Sequence, residues 1–289
     1  MESHTAQRAR ALWLMTEPLH AVCYFDPDCR ALGRSLGLKG FWMGYFAART
    51  APLGAIEPAA ATAVLGVFRA DMVARALPAA WSVVSPTHVL DERGTRAARA
   101  LRAIDPDLER SATALLPRLQ RLVDDAPDTA RPLFAANRAL CDHADPVERL
   151  WQLTTALREF RGDAHLAVLA DRELDGCEAL VLTAAAGRVP RDTMREDRGW
   201  TEEEWAAAGD RLRARGLLDA HGGATPAGLR ERTHIESETD RLAARLLRPL
   251  APADADDLIG LLHPVVRRVL AADLLPFPNP IGLPRPDMP

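Results

Sequence analysis

Apolar positions recur at three- and four-residue spacing along most of the chain and rarely alternate, so the pattern predicts helices rather than sheet. A first helix is expected over residues 6–15. A turn follows at Asp26-Pro27-Asp28, where proline presets the backbone and the acids can cap the next helix. The window FWMGYFAART (41–50) is the most apolar and aromatic in the chain. Trp42, Tyr45, Phe46 and Arg49 lie at helical spacing there, and the helix should end near Ala51-Pro52-Leu53-Gly54. Blocks 58–76, 91–104, 106–124 and 130–141 are helical in pattern and split by turns containing Pro or Asp. A long apolar helix begins after Asp145-Pro146 and runs to Asp171.

The segment LDGCEALVLTAAAG (174–187) reads as one helix closed by Gly187, and Pro190 opens a short second helix. Thr201-Glu202-Glu203-Glu204 is a capping box ahead of a third. Leu217-Leu218-Asp219 reads as a short strand, His221-Gly222-Gly223 as a turn, and Thr225-Pro226 caps a closing helix to 247. These elements predict a winged helix over 174–247, and for the chain an all-α fold with a small β-wing. Gly37, Arg49 and Gly54 share the spacing of Gly199, Arg211 and Gly216. This leaves open a tandem, duplicated winged-helix arrangement whose N-terminal copy has decayed. The expected units are an N-terminal helical domain (1–145), a C-terminal helical and winged-helix domain (146–273), and an extended proline-rich tail (274–289).

With 289 residues, 48% of them hydrophobic, the chain can build one large or two ordinary cores. Its net charge of −4 gives no global attraction to nucleic acid or to an anionic membrane, so DNA contact would need a local basic face. Cys23, Cys29, Cys141 and Cys177 lack zinc-knuckle spacing and form no disulfide framework, and no metal site is expected. No apolar run reaches the roughly 18 residues of a membrane span, so a cytoplasmic protein is expected. Dinucleotide, Walker, zinc-protease and nucleophile-elbow motifs are missing.

The segment RLRARGLLDAHGGATPAGLRER resembles the wing of MarR-type regulators. That resemblance implies a transcriptional regulator that places one helix in the major groove, forms a homodimer through terminal helices such as 255–272, and binds a palindrome. The local charge argues otherwise. The presumptive reading helix starts Thr-Glu-Glu-Glu-Trp (201–205), the turn carries no Arg or Lys, and Arg211, Arg213 and Arg215 come late. A scaffold is favoured and DNA disfavoured. Over residues 15 to 247, the patterns GFWMGYFAARTAPLG, LREFRGDAH and RGWTEEEWAAAGDRLRARGLLD resemble the actinobacterial SalK-like winged-helix proteins. These are often encoded near specialised-metabolite pathways. The resemblance implies a small-molecule context and supplies no catalytic residues.

Candidate chemistry centres on Thr154, Arg158, Arg161 and His165, spaced i, i+4, i+7 and i+11 on the long apolar helix. Buried guanidinium groups require a carboxylate, a phosphate or another anion. Two readings stand. Arg158 and Arg161 pair with Glu159, Asp163 or acids on neighbouring helices, with His165 a hydrogen-bonded core residue; or the stripe lines a pocket for an anionic ligand. In catalysis His165 would be the general base or acid, and Arg158 or Arg161 would hold negative charge. Gly162 in mid-helix suggests a close neighbour, either helix or ligand. The second wall is aromatic: His20 and Tyr24, then Trp42, Tyr45 and Arg49, with Thr154 and Asp163 completing the ligand-binding candidates. Phe41, Trp42 and Met43 could line a flat ligand, including a haem on His20 or His165, although a Cys-x-x-Cys-His attachment motif is lacking. His234 and Glu236 read as solvated. The expected function is a small-molecule-binding protein, with an enzyme of specialised metabolism within that reading. The alternatives are a MarR-like regulator and a partner-binding scaffold.

Overall fold

Helix α1 (Glu2–Phe25) continues past residue 15 with Pro18 inside it. Proline removes one backbone donor. Leu12, Met15, Leu19 and Val22, on either side of it, are all buried along one face, and that packing holds the helix together. A computed structural model describes residues 2–286. Residues 1 and 287–289, the ends of the expected N-terminal domain and tail, lie outside the described residues. Asp26 accepts hydrogen bonds from the N–H groups of Asp28 and Cys29 and so caps α2 (Pro27–Arg30). α3 (Leu32–Ser35) and α4 (Gly40–Thr50) follow. The 58–76 block is two helices, α5 (Pro58–Leu65) and α6 (Ala70–Ala74), because Gly66 turns the chain at φ 65°. α7 (Pro86–Ile104) starts earlier than expected, where Ser85 caps it. α8 (Leu108–Asp124) and α9 (Pro132–Arg138) complete the N-terminal half.

α10 (Pro146–Asp171) is the axis of the molecule. Asp145 caps it by accepting from the N–H groups of Val147 and Glu148, both at 2.9 Å. It packs against α1, α7, α8, α9 and the later α14, with Trp151 and Phe160 buried on it. α11 (Gly176–Ala185), α12 (Arg191–Asp197) and α13 (Glu202–Ala214) form a three-helix unit, with both hydrogen bonds of the Thr201–Glu204 capping box present. The expected strand at 217–219 is reduced to a single antiparallel bridge between Leu218 and Ala224. α14 (Pro226–Ala243) and α15 (Pro252–Ala271) follow.

Three cores result. One joins α1, α7, α8, α10, α15 and the tail; a second joins the end of α10 to α11–α14; a third is built from α4–α7. The expected boundary at 145 is therefore not a seam, because residues on both sides of it share the first core. The tail is extended, as its prolines require, and it is docked: Leu275 and Leu283 are buried, and Asn279 exchanges two hydrogen bonds with Leu283. Gly37, Gly54, Gly199 and Gly216 all take positive φ, flanking α4 and α13 alike. Among the described residues, however, no bridge follows Gly54.

The segment after α5 is pinned to the three-helix unit. A Cβ on Gly176 would lie 2.2 Å from the Gly66 carbonyl oxygen, the Trp200 indole N–H donates to the Val67 carbonyl at 3.0 Å, and the Arg69 N–H donates to the Arg198 carbonyl at 3.0 Å. Gly176→Ala should therefore cost about 1–3 kcal/mol in urea denaturation, because backbone cannot retreat as a side chain can. Gly260→Ala on α15, with open space around it, should be neutral or stabilising by roughly 0.5–1 kcal/mol. Equal effects would show that the glycine contact does not join the units.

Candidate functional site

Where the three cores meet they leave a cleft of about 840 Å³. Its walls come from α1, α4, α5, α10, α11, α12, α14 and the tail, and eight arginines face four carboxylates in its lining. The size suits a small organic molecule.

The polar floor is a chain of ion pairs. Arg49 donates from Nη2 to both oxygens of Glu159, at 3.2 and 3.1 Å, and Arg158 donates from Nη1 to the same carboxylate at 2.6 Å. Burial works to raise the Glu159 pKa, but Arg158 and Arg49 outweigh it and hold the carboxyl below its ordinary range. Glu17, 3.7 Å from Arg158 Nε, accepts from the Trp13 indole at 3.0 Å; burial raises its pKa. Arg161 bridges to α14, donating to Asp240 at 2.6 Å and to Glu236 at 3.1 Å. Glu236 also receives Arg10 and Arg232. Burial pushes Glu236 upward, yet Arg232 and Arg161 bring it to about 2. Glu236 is thus part of the floor and not the solvated residue its helix pattern suggests.

His165 adjoins this floor. Thr239 has a single hydroxyl hydrogen, which goes to the Ile235 carbonyl at 2.7 Å, so at 3.2 Å His165 Nδ1–H must be the donor to Thr239 Oγ1. Nε2 then carries a lone pair, and among the described residues nothing bonds to it. Burial lowers the His165 pKa to about 4, so the ring is neutral near pH 7. A neutral imidazole beside guanidinium groups can accept a proton from a bound molecule while the arginines hold the developing negative charge.

The other candidates separate. Tyr45 and Arg49 line the cleft. They also line a smaller adjoining cavity of about 50 Å³, which His20 and Tyr24 border. There Tyr24 O–H donates to His20 Nε2 at 3.0 Å, and His20 Nδ1–H donates to Thr155 Oγ1 at 2.9 Å. Thr155 in turn donates to the Trp151 carbonyl. Burial first, then Arg158, Arg49 and Arg93, lower the His20 pKa well below its ordinary value. Both ring nitrogens are engaged, so His20 does not fit a haem iron; His165 sits among charges rather than the apolar faces a macrocycle stacks on. Trp42 borders neither cavity and packs on Phe46 and Phe68 in the third core. Thr154 is fully buried and donates to the Trp151 carbonyl; it lies one turn before Arg158, where the cleft lining on α10 begins. Asp163 faces α9, where its Oδ2 accepts the Phe134 N–H, and burial raises it to about 6. Gly162 has no close helix neighbour; its open side is cleft.

Sequence reasoning named Glu159 only as an ion-pair partner of Arg158, which it is, and it did not single out Trp13, Glu17, Asp240 or Arg198 as site residues. Arg232, Glu236, Thr239 and Asp240 recur at i, i+4, i+7 and i+8, a spacing that marks one helix face. Nothing local marks Arg198.

The lowered pKa of His165 has a signed consequence. An unfolded histidine titrates near 6.5, so between about pH 6.5 and 4 the unfolded chain binds the extra proton. This group's stability contribution is complete above 6.5 and is lost as pH falls toward 4. Asp163, raised in the fold, works oppositely over part of that window. His165→Gln should remove about 2 kcal/mol of the acid-side decline, measured as the difference in unfolding free energy between pH 7 and 4.5 against the parent protein. An unchanged decline would place that proton elsewhere.

The described residues hold no cluster of His, Cys, Asp or Glu that could bind a metal, and no helix long and apolar enough to cross a membrane. No curated protein and no solved structure matches the chain. A family profile described as "Helix-turn-helix family" matches residues 9–276, and with nearly its whole length covered, from α1 to the start of the docked tail, the chain belongs to that helix-turn-helix family.

Proposed function

We propose that this helix-turn-helix protein uses its winged helix as a scaffold and binds a small anionic molecule in the central cleft. The carrying observation is where the charge sits. The outward face of α13 presents Glu202, Glu203, Ala206, Ala207 and Asp210, all exposed, where a DNA reader would meet phosphates. Its arginines are committed: Arg211 to Glu178 and Asp175, Arg213 to Asp210, Arg215 to the carbonyls of Glu173 and Arg172. Arg191 and Arg195 of α12 pair with Glu202. The excess guanidinium is inside, around the cleft. The Leu218–Ala224 bridge is the remnant of the wing, and the matched glycines around α4 and α13 support a duplicated ancestor. The resemblance to SalK-like proteins puts the ligand in specialised metabolism, in the cytoplasm.

Membership of a helix-turn-helix family favours a second reading, a MarR-like regulator working as a homodimer on DNA. The two separate in one pair of measurements. Enrichment from a randomised duplex library should yield no preferred sequence; a motif retained with steep salt dependence would replace the cleft reading with the regulator. A panel of anionic small molecules should include some that raise the melting temperature, and Gly162→Leu, which projects a side chain from α10 into the cleft beside Glu159, should clearly reduce those shifts. Gly162→Ala alone should stabilise the protein by up to about 1 kcal/mol, since the methyl meets no backbone. Shifts unchanged by Gly162→Leu would put the ligand elsewhere.

A further inference from the structure

We propose that Arg198, at the end of α12, is the receptor for the carboxylate of an amphipathic organic acid whose apolar body lies against the Phe68 side of the cleft. The proposal rests on the cleft reading above and names its ligand class. Arg198 is 8% exposed and lines the cleft. Of the eight arginines in the lining, Arg10, Arg49, Arg158, Arg161 and Arg232 each have a carboxylate within ion-pair distance; among the described residues Arg188, Arg198 and Arg285 have none, and of these three only Arg198 is buried. Its guanidinium bonds are to backbone carbonyls, Pro280 at 2.6 Å and Asp197 at 3.5 Å, and its Nε–H has no partner. Five donors are thus served by two neutral oxygens, one of them at the limit of bonding distance. Arg49 Nε–H, in the same lining, is also without a partner. Burial works against the Arg198 charge, and the nearby Arg49 and Arg158 charges add to that, while Tyr45 and Asp197 act the other way.

A buried cation so placed is costly unless an anion completes it. The surroundings specify the rest of the anion. The Arg198 guanidinium lies 4.8 Å from the centre of the Phe68 ring, and the walls beside it include Val64, Val67, Leu180, Val189 and Met194. A small inorganic anion would leave that apolar wall uncovered, and a neutral apolar molecule would leave the guanidinium unserved. One molecule carrying a planar carboxylate on an aromatic or alkyl body answers both. The carboxylate matches the guanidinium fork.

The test uses matched pairs differing only in charge, 2-naphthoate against 2-naphthamide and decanoate against decanamide, titrated calorimetrically into the full chain. At least one acid should bind about tenfold or more tightly than its amide, the size expected of a charge-assisted bond to a buried guanidinium. Arg198→Gln should erase that preference by weakening the acid far more than the amide, and Arg198→Lys should keep part of it. A preference undiminished in Arg198→Gln would overturn the receptor and leave the cleft reading intact, because Gly162→Leu would still weaken binding. No preference for the acid in the parent protein also overturns the receptor, with no dependence on how Arg198→Gln folds. Binding of all four compounds that ignores Gly162→Leu overturns the cleft as well.

Discussion

Guanidinium charge removed from water is the constraint that organises this molecule. The ion-pair chain from Arg49 through Glu159 and Arg158 to Glu17, with its counterpart from Arg161 to Glu236 and Asp240, ties α1, α4, α10 and α14 together where their apolar faces part. Pairs this deep gain little net free energy over a hydrophobic filling, since desolvation offsets the attraction. What they provide is an opening. Apolar side chains at the same positions would close over the space, whereas paired charges keep its walls polar and apart.

Helix-turn-helix architecture is usually discussed through its exposed reading helix, and here that helix begins with carboxylates while the arginine-rich lining lies inside. Glu202 holds Arg191 and Arg195 and Glu204 holds Arg69, so the acidic start of α13 is tied to α12 within its own unit and to the residue ahead of α6. Glu204 is also the carboxylate of the capping box that starts the helix. The unit faces the cleft through α11, α12 and α14, not through α13.

Much of the fold was legible in the sequence because its signals were local. Asp145-Pro146 and the Thr201–Glu204 box fix helix starts through short-range hydrogen bonds, and α10 begins and ends where its pattern indicated. Signals failed where tertiary packing overrode them. The first helix runs on through Pro18 to Phe25 because residues 15–22 are buried, and the 58–76 block breaks where Gly66 takes a positive φ and its carbonyl packs against Gly176. The site followed the same rule. Arg158, Arg161 and His165 were visible by their spacing on an apolar helix. Thr154 shares their face but lies a turn beyond the end of the cleft, and Asp163 faces α9, because neighbouring positions on one helix meet more than one environment. Arg198 was invisible, since its significance lies in what it lacks, and a missing partner leaves no mark on the residues around it.

The docked tail has a kinetic meaning. Residues 277–285 form part of the cleft wall but belong to no helix, and two buried leucines, Leu275 and Leu283, fasten them. Such a segment can detach by local opening without the helices unfolding. On the cleft reading proposed above, a molecule held beneath it would escape on the clock of that detachment, its residence time set by the anchoring leucines and its identity by the charges beneath.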